Sequence, residues 1–161
     1  MSEQRTGVSF EERVRAAGIV VPTLPPPAFA YVPATRTGNL VYASGQTPTI
    51  DGVLQLRGKL GGGVSIEEGR VAARLAALNC VAEVRDLLGS LDRVARVVRL
   101  TGYVASAPGF DQQPAVMNGA SELLEEVFGA AGRHARSAIG VAELPGGAPV
   151  EVELIVEARA E

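Results

Sequence analysis

The chain has 161 residues with a single cysteine, a single histidine and no tryptophan, and aromatic side chains make up only 4% of it. A lone cysteine, Cys80, cannot close an intramolecular disulfide, which points to a reducing compartment. One histidine and one cysteine cannot furnish a zinc centre of the usual ligand count without carboxylates. With 47% hydrophobic residues and few rings, the core has to be built from Val, Leu, Ile and Ala. A basic excess is also missing: 15 Lys and Arg stand against 18 Asp and Glu, a net charge of −3. That balance argues against a dedicated binder of nucleic acid or anionic membranes. No uncharged apolar run reaches the roughly 18 residues that a membrane span needs. Met1 to Phe10 is polar and lacks the apolar stretch of a signal peptide. Together these absences predict a cytoplasmic protein.

The length fits one domain. Ser9 to Ala17 reads as a short helix, with Ser9 as cap and Glu12 completing a capping box. Val21-Pro-Thr-Leu-Pro-Pro-Pro27 then forces an extended path that spaces this helix from the rest. Phe29–Pro33 and Leu40–Ser44 are expected as strands joined through a turn at Gly38-Asn39, and Asp51-Gly52 marks a second turn before a short strand at Val53–Leu56. Ser65–Leu88 is the clearest helix: Ser65 and Glu68 form a capping box and Gly89 stops it. Its apolar residues, from Val71 and Leu75 to Leu87 and Leu88, predict packing on a sheet, with Arg74, Glu83, Arg85 and Asp86 on other faces. A strand over Arg93–Val104, a helix over Gln113–Phe128 capped by Asp111, a strand over Ser137–Glu143 and a last strand over Val150–Ala158 complete the order. The pattern β-β-β-α-β-α-β-β predicts an α+β fold, one sheet with both helices on a single face. On the last strand Val150, Val152, Leu154 and Val156 make an apolar row, and Glu151, Glu153 and Glu157 the opposite one. This predicts a core side and a second, polar-lined interface.

Several motifs fail on inspection. Gly52 to Leu60 has one residue too many for a phosphate loop and puts Leu60 where a Ser or Thr belongs. Gly61-Gly62-Gly63 is no dinucleotide fingerprint, because Ile66 occupies the last glycine position, so the glycine run reads as a flexible connection. His134, in the polar loop Gly132-Arg-His-Ala135, reads as a solvated loop histidine, and Cys80 as a buried, inert thiol.

What remains is His134-Ala-Arg136-Ser-Ala-Ile-Gly-Val-Ala-Glu-Leu144-Pro145, then Val150-Glu-Val-Glu-Leu-Ile-Val156. An arginine entering a strand, a Leu-Pro turn and a return strand with alternating glutamates resemble the C-terminal signature of the Rid (RidA/YjgF) family, also labelled endoribonuclease L-PSP. Pro27-Ala-Phe-Ala-Tyr31 resembles the family's early tyrosine-bearing segment. Gly38-Asn39-Leu-Val-Tyr-Ala-Ser44-Gly45-Gln46-Thr-Pro48 resembles its Gly-Asn, Ser-Gly-Gln, Pro run, and Asn118 stands where its second helix carries an asparagine. The resemblance covers about residues 27–158. It divides the chain into residues 1–26, an extension like that of a longer subgroup, and 27–161, the RidA-like domain.

The resemblance implies a chorismate-mutase-like fold in a homotrimer with small-molecule pockets between subunits. It implies hydrolysis of reactive enamines and imines such as 2-aminoacrylate to 2-keto acids and ammonia, with no cofactor and no metal. Arg136 would bind the substrate carboxylate and Glu151 orient or activate a water. Tyr31 would wall the pocket, and Gly45, Asn118 and the backbone at Ala138 would complete it. Founding members carry a cysteine where this chain has Ala138, a departure that leaves the activity open to this chain but not necessarily the same substrate range. The alternatives are a non-catalytic small-molecule-binding or regulatory trimer and, disfavoured by charge and aromatic content, an RNA-directed endoribonuclease. The expected partners are a small carboxylate metabolite and further copies of the chain, without nucleic acid or membrane.

Overall fold

In the computed structural model, which describes residues 7–160, five strands form one mixed sheet in the order β1-β2-β9-β7-β8. These are β1 (Ala34–Thr37), β2 (Leu40–Gln46), β7 (Val94–Ala105), β8 (Ala135–Val141) and β9 (Val150–Ala158). Neighbours run antiparallel except β7 and β8, which are parallel because the helix α3 (Gln113–Phe128) crosses between them. The second long helix, α2 (Ile66–Leu88), lies over β2 and β9, and α3 lies over β7 and β8. Both helices therefore cover one face, as the element order predicts.

The ends of α2 follow its sequence. Ser65 Oγ accepts from the Glu68 amide at 3.2 Å, Glu68 accepts from the Ser65 amide at 2.8 Å, and Gly89 ends the helix at φ 80°. Its buried face differs from the expectation. Val71 and Leu87 point outward, 63% and 43% exposed, while Ala72, Ala73, Ala76 and Ala77 pack inside with Cys80, Val81 and Val84. Small residues win because α3 approaches closely: a Cβ on Gly119 would lie 2.8 Å from the carbonyl carbon of Arg70. Longer side chains on that face would force the helices apart. Arg70–Glu122 and Arg74–Glu126 ion pairs, 2.8 and 2.7 Å, close the outer rim. Glu83, expected on a polar face, is buried instead.

Other boundaries also shift. The strand expected at Phe29–Pro33 begins only at Ala34, because Pro33 has no amide to donate to a ladder. Asp111 does not cap α3; its N-cap is Gln112, without a side-chain hydrogen bond, and Pro114 in the first turn fixes the start. Asp51 and Gly52, at φ 50° and 77°, turn the hairpin between β3 (Thr49–Ile50) and β4 (Val53–Leu54). The glycine run, expected to be flexible, carries the short pair β5 (Lys59–Leu60) and β6 (Gly63–Val64). Leu60 is fully buried there, and its carbonyl accepts from the Ala107 amide at 2.9 Å.

The first helix, α1 (Phe10–Ala16), has the expected Ser9–Glu12 capping box. It is seated on the domain rather than spaced from it. Phe10 meets Phe128 edge-on at 5.1 Å, Arg13 donates to the Glu126 carbonyl at 3.2 Å, and Asp92 accepts from the Phe10 amide at 2.7 Å. The proline run then crosses α2, where Arg85 donates to the Val21 carbonyl at 3.1 Å.

The alternation of β9 sorts its two faces as the sequence predicts. Val150, Val152, Leu154 and Val156 are buried under the helices. The opposite face carries Glu151, Glu153, Tyr103, Ile139 and Tyr42, and no helix among the described residues packs over it; Ile139 is 47% exposed. No helix among the described residues is long and apolar enough to cross a membrane.

Candidate functional site

Arg136 stands in β8 directly opposite Leu100, a core residue, so its side chain emerges on the helix-covered face at the sheet edge. Its contacts come from one face of α3, where Pro114, Asn118 and Ser121 recur at four- and three-residue spacing. Nη1 donates to Asn118 Oδ1 at 2.9 Å and to Ser121 Oγ at 3.2 Å, and Nη2 donates to the Pro114 carbonyl at 3.3 Å. These bonds use three of the five N–H groups a guanidinium offers. The Nε–H and one Nη2–H have no protein partner among the described residues. Free donors on both nitrogens of one edge of a permanent cation suit a carboxylate. Ala138 follows on the same face of β8, opposite Gly102 and partly buried against the core.

The second group of expected residues lies elsewhere. Glu151 in β9 faces the uncovered side of the sheet, paired across to Tyr103. Between Ala43 and Gln46 the β2–β9 register shifts, and this bulge brings Gly45 against Glu151. Contact is so close that a Cβ on Gly45 would overlap the Glu151 carboxylate, 3.0 Å from its Cδ. Gly45 and Tyr31 together line a cavity of about 320 Å³ with Phe29, Gln46, Thr47 and Glu83. Tyr31 sits on a bend before β1 and is 51% exposed.

Burial holds the Glu151 carboxyl above its ordinary pKa, and the neighbouring Glu153 adds to the effect. Tyr103 donates to Glu153 at 2.9 Å, and Arg99 donates to Ser137 at 2.7 Å, so this face is polar and ordered. A carboxyl with a raised pKa is a stronger base when ionised than an ordinary carboxylate, which suits general acid–base work.

The six expected residues therefore fall into two sets. Asn118, Arg136 and Ala138 belong to the α3–β8 edge; Tyr31, Gly45 and Glu151 belong to the bulge. Arg136 and Glu151 emerge on opposite faces of the sheet, with β7 between β8 and β9. One chain does not bring Arg136 and Glu151 together.

Two further residues join the first set. Ser121 Oγ lies 2.9 Å from His134 Nε2, and His134 Nδ1 lies 2.6 Å from the Gly132 carbonyl. His134 is thus half-buried and bonded on both ring nitrogens, which corrects the expectation of a solvated loop histidine. Its signal was in the sequence: His134 and Arg136 share a strand face at period two, and Ser121 follows Asn118 by three. Cys80 is buried as expected, against the Val152 carbonyl at 3.1 Å, and burial pushes its thiol far above the usual range. No cluster of three or more His, Cys, Asp or Glu able to hold a metal occurs among the described residues.

Comparison with known proteins adds a lineage. Residues 11–157 match the model of the family described as "YjgF/chorismate_mutase-like, putative endoribonuclease". Protein TCP17 of Trypanosoma cruzi is 47% identical over 141 residues, 87% of this chain and 88% of that one. The crystal structure of Atu1372 from Agrobacterium tumefaciens, a protein of unknown function, is 43% identical with a TM-score of 0.85, covering 93% of this chain and 92% of that one. RidA from an Antarctic Psychrobacter is 27% identical with a TM-score of 0.59, covering 84% of this chain and 94% of that one.

Proposed function

Since this chain belongs to the YjgF/chorismate-mutase-like (Rid) family, we propose that it hydrolyses reactive enamine and imine intermediates of the 2-aminoacrylate type to 2-keto acids and ammonia. The observation that carries this reading is the guanidinium of Arg136, pinned on α3 with N–H groups on Nε and Nη2 left over. They take the substrate carboxylate.

The trimer is part of the proposal. The uncovered sheet face needs a covering layer, and Arg136 and Glu151 need a second chain to meet. In a closed ring of three, the α3–β8 edge of one copy faces the bulge of the next. The imine carbon then lies between the Arg136 edge and the Glu151–Gly45–Tyr31 set of the neighbour.

The enamine first takes a proton from solvent at its terminal carbon and gives one up from nitrogen, which yields the imine. Water held by Glu151 adds to the imine carbon: a C–O bond forms, the water proton passes to the carboxylate, and the C=N π pair goes to nitrogen, which takes a proton. Collapse of the carbinolamine breaks the C–N bond, releasing ammonia and the keto acid. An imine carbon is already electrophilic, so positioning supplies much of the rate. Arg136 holds the carboxylate and Glu151 handles the water, and the reading calls for no cofactor. A cytoplasmic setting goes with it, since such intermediates need to be met where they are released.

The replacement of the founding members' cysteine by Ala138 favours a second reading, a trimer that binds a small carboxylate without consuming it. The endoribonuclease label fits poorly with the acids Glu151 and Glu153 and the net charge of −3. To test the first reading, 2-aminoacrylate is generated with a dehydratase and pyruvate formation is followed with and without the protein. Acceleration that disappears in Arg136→Ala supports it. A carboxylate that raises the melting temperature with no acceleration selects the second reading.

A further inference from the structure

The hydrogen bonds around the chain's one histidine run in a fixed direction. The Gly132 carbonyl, 2.6 Å from His134 Nδ1, can only accept, so Nδ1 carries the proton. In the neutral ring Nε2 is then an acceptor, and the Ser121 hydroxyl donates to it at 2.9 Å. With its proton committed, Ser121 Oγ presents a lone pair to Arg136, whose Nη1 donates at 3.2 Å. Every bond points the same way: guanidinium to hydroxyl, hydroxyl to imidazole, imidazole to backbone carbonyl. Chains of this kind polarise one another and strengthen each member.

We propose that Ser121 and His134 are positioning residues for Arg136: a relay anchored on the Gly132 carbonyl that fixes which edge of the guanidinium faces the ligand. The inference rests on reading Arg136 as the carboxylate clamp. Nη1 is saturated by Asn118 and Ser121, and Nη2 is tied once to Pro114. That leaves the Nε–Nη2 edge as the face offered to the ligand. Without the serine acceptor, Nη1 keeps a free N–H that competes for the ligand and loosens the orientation of the guanidinium. The bonds that remain, to Asn118 and the longer one of 3.3 Å to the Pro114 carbonyl, leave that second Nη1–H unfixed. The serine–histidine spacing also suits a nucleophile and its base. Here, though, a cationic arginine N–H donates to the same oxygen and draws electron density from it, so orientation is the role the geometry supports.

The relay has a spectroscopic signature and a binding signature. His134 is the chain's only histidine, so ¹⁵N-histidine labelling of the full chain gives a single imidazole. Its neutral ring is expected as the Nδ1–H tautomer, with Nε2 as a hydrogen-bond acceptor that loses its donor in Ser121→Ala. Binding is read by calorimetry with pyruvate, and with pyruvamide as its uncharged counterpart. Ser121→Ala and His134→Ala are expected to weaken pyruvate about tenfold, the size of one hydrogen bond to a charged group. Pyruvamide binding and the melting temperature stay close to wild type, and Ser121→Thr restores pyruvate. An Nε2–H tautomer in the wild type overturns the proposal, as does a folded Ser121→Ala that binds pyruvate like the wild type while Arg136→Ala does not. If Arg136→Ala itself binds pyruvate unchanged, the clamp reading falls and the relay falls with it.

Discussion

Adding one methyl group at Gly45 is expected to remove activity while leaving the fold intact. Gly45 has no positive φ, so its backbone accepts a side chain. A Cβ there would sit 3.0 Å from Glu151 Cδ and 3.3 Å from Cγ, and would overlap the carboxylate itself. Carbon atoms rest at about 3.5–4.0 Å, so the carboxyl has to retreat by about 1 Å. The obstructing atoms are the free end of a glutamate, which can swing. Stability should therefore change by less than about 1 kcal/mol, partly offset by the lower chain entropy of alanine in the unfolded state. A displacement of about 1 Å at a group that positions water costs on the order of 100-fold in kcat/KM, about 2.7 kcal/mol in the barrier. Gly119→Ala is the matched control. There the new Cβ meets the Arg70 backbone, 2.8 Å from its carbonyl carbon, and α2 and α3 have to part, at about 1–3 kcal/mol. Pyruvate release from generated 2-aminoacrylate and thermal melting are measured for both variants. Full activity in Gly45→Ala, or a loss of stability matching that of Gly119→Ala, would refute the reasoning.

Three further outcomes follow from the electrostatics and the caps. With Glu151 held above its ordinary pKa by burial and Glu153, kcat/KM should rise with pH along an acid limb lying above the normal carboxylate range, and Glu151→Gln should abolish that limb. Glu83 is also raised, by burial first and Asp86 second, so the folded state holds a proton that the unfolded state releases. Stability then falls as pH rises from the unfolded to the folded pKa, and Glu83→Gln should raise the melting temperature at pH 7 to 8 but not at pH 4. Ser65→Ala removes the capping box of α2 and should cost about 1 kcal/mol in denaturant melts without changing ligand affinity.

Where local chemistry decides, the sequence was readable. Ser65, Glu68 and Gly89 mark both ends of α2, and the β9 alternation sorts core from open face. Reading failed where tertiary packing decides. Which stripe of α2 is buried depends on how closely α3 approaches, and that favours alanines over Val71 and Leu87. The start of β1 depends on Pro33 lacking a donor, and α3 begins without the side-chain cap expected from Asp111. At the site, the resemblance named six residues, and the fold separates them into two sets that no motif distinguishes. Strand parity was available to link His134 with Arg136. The bond to Ser121 was not, because it depends on how α3 lies against the edge of β8.

The account's central claim is that Arg136 of one copy and Glu151 of another act on the same substrate. Mixing Arg136→Ala with Glu151→Gln, each strongly impaired alone, tests it directly. After co-refolding at equal amounts, random assembly in a ring leaves about one site in four with both residues intact, so about a quarter of wild-type activity should return. No recovery, with mixed assemblies verified by mass spectrometry, would place both residues in a single chain's site and contradict the account.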